Sequence, residues 1–282
     1  MPARLRQGYG VAIVHNGTVN LAWAGRRVWV TGASSGIGEA LALAIVRGGG
    51  RVVISARRLD RLQAVRAATT HPDHVAIVAL DQSQPENVTE AVRSAVSAFQ
   101  GLDTVVLNGG VSQRSLARET SLDVDRSLMT VNYLANVAIT KALLPALLEQ
   151  PDPQIVVISS VVGRVGSPYR SGYAASKHAL HGFFDSLRAE LPTNVAVTIV
   201  CPGFVKTEIS MHSLTADGSP LRQMDRAQAN AMSADAFAAK ALRAILNRRR
   251  EVVIGGTEAW AVLLQRLVPG VLARLVRRAR VR

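Results

Sequence analysis

From Arg26 onward the chain alternates short β-branched runs with longer stretches of helical periodicity, and this alternation limits the architecture more than any other feature. The runs Val28–Thr31, Arg51–Ser55, Val75–Leu80, Thr104–Leu107, Ile155–Ile158, Val195–Val200 and Val252–Ile254 read as strands. Helical patterns fill the gaps, at about 37–48, 58–69, 85–99, 122–149, 172–191 and 233–247. Strands and helices in strict turn require crossover connections, so the expected fold is α/β: one doubly wound domain, its seven-stranded parallel sheet flanked by helices. At 282 residues the chain suits one large domain that buries its core without disulfides or metal. Residues 1–24 read as an irregular leader, 25–256 as the domain itself with a long connection at about 205–232, and 257–282 as a basic amphipathic C-terminal segment.

The first strand runs into Thr31-Gly32-Ala33-Ser34-Ser35-Gly36-Ile37-Gly38, directly before a helix. Glycines at a strand-to-helix turn allow a tight bend and let a pyrophosphate approach the helix N-terminus, which makes the domain Rossmann-type and dinucleotide-binding. Gly32, Ser34, Ser35, Gly36, Ile37 and Gly38 are the candidate cradle. The second strand should end beside the adenosine ribose, where an acid suits NAD and arginine suits a 2′-phosphate. Here the chain reads Ser55-Ala56-Arg57-Arg58, so the expected cofactor is NADP(H). Asp81-Gln82, closing the third strand, is a candidate adenine contact, although an aspartate there also serves as an ordinary helix cap. Asn108-Gly109-Gly110 ends the fourth strand at the same edge, with room for a ligand. Pro202-Gly203-Phe204-Val205-Lys206-Thr207 ends the sixth, a turn and a hydroxyl suited to closing over a nicotinamide amide and a phosphate.

Between those strands, the fifth delivers Ser159 and Ser160 to the same edge. The next helix carries Tyr173 and Lys177, four residues apart and therefore on one face. A phenol beside an ammonium points to proton chemistry, because a nearby positive charge favours the phenolate. Asn132 lies in Met-Thr-Val-Asn-Tyr inside a long apolar helix, either as a satisfied helix–helix hydrogen bond or as a site residue.

The net charge of +13 invites a nucleic-acid reading until its distribution is examined. Residues 1–38 hold four arginines and no acid, and residues 259–282 hold six arginines and no acid, which leaves only +3 between them. With aromatic residues at 4%, an interleaved basic and aromatic surface is not expected, and no nucleic-acid partner is assigned. Apolar residues recur at 260, 264, 267, 268, 271, 272 and 275 among arginines, an imperfect amphipathic helix interrupted by Pro269-Gly270. Its two readings are a segment that closes a pocket or packs on another subunit, and peripheral contact with an anionic membrane. Cys201 reads as buried packing. His178 and His181 share a helix without an acid or cysteine placed to complete a metal shell, so no metal is assigned and both read as exposed or cofactor-near positions. No run approaches the ~18 apolar residues that span a bilayer, and a cytoplasmic protein, with surface membrane association open, is the expectation.

Taken jointly, Thr31-Gly-x-x-x-Gly-x-Gly38, Asn108-Gly-Gly, Asn132, Ser160, Tyr173-x-x-x-Lys177 and Pro202-Gly203 resemble the short-chain dehydrogenase/reductase family. The motifs cover residues 26 to about 255; where that family usually has Asn-Asn-Ala-Gly, this chain has Leu107-Asn-Gly-Gly110. Ser171-Gly-Tyr-Ala-Ala-Ser-Lys-His-Ala179, Phe183–Glu190 and Thr215-Ala-Asp-Gly-Ser219 resemble its member 7 branch, the 7B type in particular. The resemblance implies carbonyl–alcohol interconversion by hydride transfer, with a lipid-like or other hydrophobic ketone as substrate and a 3-oxoacyl thioester or steroid as alternatives. It implies that Tyr173 is the general acid and base, that Lys177 lowers its pKa and holds the ribose, that Ser160 binds the substrate oxygen, and that Asn132 holds a relay water. A homodimer or homotetramer is likewise implied.

Overall fold

The computed structural model describes residues 22–224 and 230–278. Seven strands form one parallel sheet: β1 (Arg27–Thr31), β2 (Arg51–Ala56), β3 (Val75–Ala79), β4 (Thr104–Leu107), β5 (Gln154–Ile158), β6 (Ala196–Pro202) and β9 (Glu251–Ile254), in the order β3-β2-β1-β4-β5-β6-β9. A two-residue pair, β7 (Val205–Lys206) with β8 (Met232–Ser233), stands apart from it. The helices are α1 (Gly36–Arg47), α2 (Leu59–Ala67), α3 (Val88–Ala98), α4 (Leu122–Met129), α5 (Ala135–Leu148), α6 (Ser171–Glu190), α7 (Ala234–Leu246), α8 (Trp260–Leu267) and α9 (Pro269–Arg278). The expected doubly wound α/β architecture is present, each predicted strand and helix lying within a few residues of its observed place.

The strands are apolar on both sides because helices cover both faces. Val28, Val30, Val52, Ile54, Val106 and Val156 turn toward a core closed by α1 and α7, with Leu41, Ile45, Phe237 and Ile245. The alternate residues Trp29, Val53, Val105, Ile155, Val157 and Val197 face α3, α5 and α6, with Val92, Ile139, Leu143, Leu180 and Phe184. Cys201 is buried in that second core, as expected. Trp23, within the stretch expected to be an irregular leader, is buried, and its amide donates to Gly48 O at 3.0 Å. Residues 1–21 of that leader lie outside the described residues.

The strand order reverses between β1 and β4, which pair with Val30 opposite Val106. Ligands of open α/β sheets bind beyond the strand ends at such a switch point, and both glycine motifs sit there.

The helix expected over 122–149 is not uniform. Between α4 and α5 the turn widens to a π-helix over Thr130–Leu134, and Asn132 lies in it. Within the continuous stretch Leu122–Leu148 an 18-residue window reaches a mean hydropathy of 1.4, enough by length and composition to cross a membrane, which a search for unbroken apolar runs does not register. In this fold it packs against α3 and α6 and buries Asn132, Asn136 and Thr140. The long connection is tied down where it is described: Leu214 bridges Gln113 and Pro220, and Ser121 N donates to Ala216 O at 2.9 Å. Pro269 divides the C-terminal helix into α8 and α9, as its missing N–H and fixed φ require.

Candidate active site

The glycine-rich turn is held by the end of β4. Asn108 Nδ2 donates to Thr31 O at 3.0 Å and Gly32 O at 3.1 Å, while Asn108 N and Gly109 N donate to Thr31 Oγ1 at 3.0 and 3.2 Å. Asn108 is therefore a brace for the turn, its amide spent on backbone. Gly32 has φ +63°, and a Cβ there would stand 2.5 Å from Gly109 Cα, so only glycine fits. Gly36 has φ +61° and looks onto the Thr207 methyl; a Cβ at Gly38 would meet Gly32 O at 2.4 Å. Ile37 packs into the core under the turn. Ser35 occupies the N-cap of α1 but makes no side-chain cap; the Glu39 carboxylate accepts from Gly36 N, and the N-terminal end of the helix dipole faces the glycine-rich turn. These features fit a dinucleotide pyrophosphate.

Arg57 and Arg58 follow β2, both exposed, and Arg58 Nη2 lies 3.5 Å from Ser34 Oγ. Asp81 is half-buried with one carboxylate oxygen engaged locally, and the Gln82 side chain is turned toward Asn136. The Asp81 carboxylate accepts from Ser83 N and Ser83 Oγ at 2.9 and 2.8 Å. Burial opposes its ionisation, but those bonds and the Arg57 charge hold its pKa below the ordinary value. Gln82 turns inward, its Nε2 3.4 Å from Asn136 Oδ1 and its Oε1 where a Gly109 side chain would stand. Asp81 thus closes its own turn, ahead of the short helix Pro85–Asn87 whose N-cap is Gln84, and Gln82 is used in packing.

Ser160, Tyr173 and Lys177 converge at the ends of β5 and β6. Ser160 Oγ donates to Pro202 O at 3.3 Å and accepts from Val162 N at 3.3 Å, and the Tyr173 hydroxyl is hydrogen-bonded to Ser160. Lys177 is buried, donates to Ile158 O at 2.9 Å, and has its Nζ 5.9 Å from the Tyr173 ring centroid. Asn132 accepts from Val111 N at 2.8 Å and donates to Val111 O and Ser176 Oγ, each at 2.9 Å. Both ends of its amide are thus engaged in joining the β4 loop to α6. Gly110 separates this amide from Lys177 Nζ: a Cβ on it would stand 2.9 Å from Asn132 Oδ1 and 3.5 Å from Nζ.

The electrostatics correct one expectation. Burial raises the Tyr173 pKa above its ordinary value, against the Ser160 hydrogen bond and the positive charges of Arg170 and Arg114. The phenol keeps its proton at neutral pH, and the charges bearing on it belong to those arginines, because Lys177 is directed at the Ile158 carbonyl. Burial also pushes the Lys177 pKa down to about 8. A neutral phenol beside a hydroxyl donor can deliver a proton to a carbonyl oxygen.

The family model described as short chain dehydrogenase matches residues 26–217. The chain belongs to the short-chain dehydrogenase/reductase family. It is similar to the Xenopus laevis dehydrogenase/reductase SDR family member 7B, 37% identical over 253 residues that cover 86% of this chain and 78% of that one. A solved Thermococcus sibiricus alcohol dehydrogenase complexed with 5-hydroxy-NADP superposes with a TM-score of 0.71 at 26% identity, covering 83% of this chain and 97% of that one. A Burkholderia phymatum member in complex with NAD shares the fold, with a TM-score of 0.77 at 23% identity over 90% and 96% of the two chains. As a short-chain dehydrogenase/reductase, this chain is an oxidoreductase that works with a nicotinamide dinucleotide.

Several residues of this short-chain dehydrogenase/reductase site carry no local sequence signal. Gln113 Oε1 accepts from Gly172 N and Tyr173 N at 2.9 and 3.2 Å, capping the helix that bears the tyrosine. Arg170 is buried with its guanidinium 5.4 Å from the Phe204 ring centroid. Glu258 Oε1 accepts from Phe204 N at 2.8 Å and Gly256 N at 3.0 Å, and fills the space beside Gly203. Val205 is buried in β7 just beyond. His178 is exposed, but His181, expected at an exposed or cofactor-near position, is buried behind Ser159 with its Nε2 2.9 Å from Ser159 Oγ. Apolar surroundings at i−1 and i+3 of α6 turn that face into the core.

Proposed function

We propose that the protein is an NADP(H)-dependent reductase of a lipid-like, hydrophobic ketone. The observation that carries the reading is the neutral Tyr173 phenol hydrogen-bonded to Ser160, beside Lys177 and across from the glycine-rich turn. In this reading the N-terminal amides of α1, with Gly32, Gly36 and Gly38 leaving room, hold the pyrophosphate, and Thr207 and the Pro202–Gly203 turn close over it. Arg57 and Arg58 hold the 2′-phosphate, for which the absence of an acid at the end of β2 and the 5-hydroxy-NADP of the Thermococcus relative are the support. When bound, the nicotinamide supplies the hydride. Lys177 uses N–H groups beyond its bond to Ile158 O to hold the ribose. Ser160, turning its O–H away from Pro202 O, donates to the substrate oxygen, and Tyr173 delivers the proton to it as charge develops there. Asn132 is a positioning residue in this scheme, since the amide expected to hold a relay water is spent on Val111 and Ser176.

In this reading the hydrophobic chain of the ketone lies in a cavity of about 600 Å³ beside the chain that leads into α6, walled by Val165, Pro168, Leu272 and Val276 together with Gln265, Arg274 and Arg277. Steady-state consumption of NADPH against long-chain ketones, steroids and 3-oxoacyl thioesters tests it. The long-chain ketones should give the highest kcat/KM, and a thioester or steroid in first place overturns the substrate assignment. Tyr173→Phe should lower kcat by about 10³-fold while leaving the NADPH Kd unchanged; undiminished turnover in that variant sinks the mechanism. Arg57→Glu should raise the KM for NADPH at least about 10-fold and leave that for NADH alone, and an unaltered preference overturns the cofactor assignment.

A further inference from the structure

Helices α8 and α9 are apolar on two sides. Val262 and Leu272 are buried, and with Leu264 and Val276 they pack on Val161 and Val165 next to the site. That inward face satisfies what an ordinary surface helix needs. Yet Trp260, Leu263 and Leu267, at i, i+3 and i+7 of α8, are 66%, 45% and 69% exposed, and Val268, Val271 and Leu275 continue the outward row at 41%, 49% and 51%. Arg266, Arg274 and Arg277 stand exposed among them. A row of this size with no cover among the described residues is an interaction surface.

The charge selects the occupant. Residues 259–282 contain six arginines and no acid, so a second copy seated face to face would set arginine against arginine with no carboxylate to separate them. An anionic lipid surface has the complementary charge, accepts apolar side chains between its headgroups, and suits a tryptophan at the boundary. Arginine stems also lie along apolar surface while the guanidinium reaches phosphate. We propose that α8 and α9 form a docking face for an anionic membrane, with Trp260, Leu263, Leu267, Val271 and Leu275 entering the headgroup region and Arg266, Arg274 and Arg277 binding lipid phosphates. Docking in this way holds the cavity between Val165–Pro168 and α9 at the bilayer surface.

The full-length chain is mixed with vesicles of phosphatidylcholine alone or with phosphatidylglycerol added, and bound protein is measured by co-sedimentation. Two of the three tryptophans, Trp23 and Trp29, are buried, so a change in emission reports Trp260. Binding to the anionic vesicles with a blue shift, and little to the neutral ones, is expected. Arg266→Glu/Arg274→Glu/Arg277→Glu should weaken binding at least about 100-fold, and Trp260→Glu/Leu267→Glu should abolish it. Arg61→Glu/Arg93→Glu/Arg126→Glu makes the same charge change on α2, α3 and α4 and should retain most of the binding. Equal losses in the two arginine sets overturn the proposal, since net charge alone would then explain association. So does an absence of vesicle binding, or a dimer in solution that Trp260→Glu/Leu267→Glu converts to monomer, which would assign the face to a second copy. Unchanged circular dichroism in each variant keeps a folding defect from imitating the expected loss.

Discussion

His181 illustrates how a single side chain can carry a pH dependence that its position in sequence does not announce. It follows Lys177 by one helical turn, is buried, and touches Ser159 Oγ at 2.9 Å and Cys201 Sγ at 3.8 Å, while its Nδ1 has no hydrogen-bond partner among the described residues. Burial pushes its pKa down to about 4, the Arg164 and His178 charges acting in the same direction and Glu251 and Asp185 against them. The unfolded chain takes up a proton near pH 6.5 that the native state refuses until about pH 4, so stability is lost as pH falls through that window. The loss attributable to this residue is roughly 3 kcal/mol. His181→Gln should flatten the decline in unfolding free energy between pH 7 and 4.5 by that order, measured by urea denaturation. A variant with the same pH dependence as the parent would refute the assignment. Tyr173 teaches the same lesson: an i, i+4 lysine suggested a lowered pKa, whereas burial, invisible in a four-residue spacing, raises it.

At the scale of the element, the end of β4 is a close joint. Gly109 faces the Gln82 side chain so closely that a Cβ would stand 1.6 Å from Oε1, and a Cβ on Gly32 would stand 2.5 Å from Gly109 Cα. Gly109→Ala should cost about 2 kcal/mol through overpacking, and Gln82→Ala should relieve most of that cost in the double variant. The two changes should therefore be non-additive by more than about 1 kcal/mol in chemical denaturation; additive effects would show that the joint has slack. The glycine pair was readable in the chain as a place where something must come close. What comes close, a glutamine in the loop after β3, was not, because β2 and β1 lie between β3 and β4 in the sheet and only the path of that loop across the strand ends carries Gln82 to Gly109. The π-turn at Thr130–Leu134 was equally illegible, since an apolar periodicity carried through it without a break.

The whole molecule divides its labour between the two edges of the sheet. At the edge where the strands begin, Arg27 makes a bidentate contact with Asp103, whose oxygens accept at 2.7, 2.8 and 3.1 Å, and Asp152 pairs with both Arg26 and Arg248. Burial opposes ionisation of Asp103, but the Arg27 bonds outweigh it and keep the carboxyl pKa below its ordinary value. A depressed carboxylate contributes stability above its unfolded pKa and loses it as pH falls below. Asp103→Asn should therefore cost about 2 kcal/mol at neutral pH and lower Tm by roughly 4–8 °C. Its kcat/KM should be unchanged, because the proposed site lies at the opposite edge; a fall in turnover without a fall in Tm would contradict this separation.

The sequence by itself determined the alternation of strand and helix, the parallel sheet with apolar residues on both faces, the bend at Gly32–Gly38, and the placing of Tyr173 and Lys177 on one face of a helix. All of these follow from periodicity and backbone sterics within a few residues. Only the tertiary structure decided which groups meet across distance: Gln113 at the start of α6, Arg114 and Arg170 beside the phenol, Glu258 against the Pro202–Gly203 turn, and Asn132 bonded to Val111 and Ser176. It also decided the direction of the tyrosine pKa, because desolvation depends on everything packed around a side chain, and that packing is a property of the folded chain.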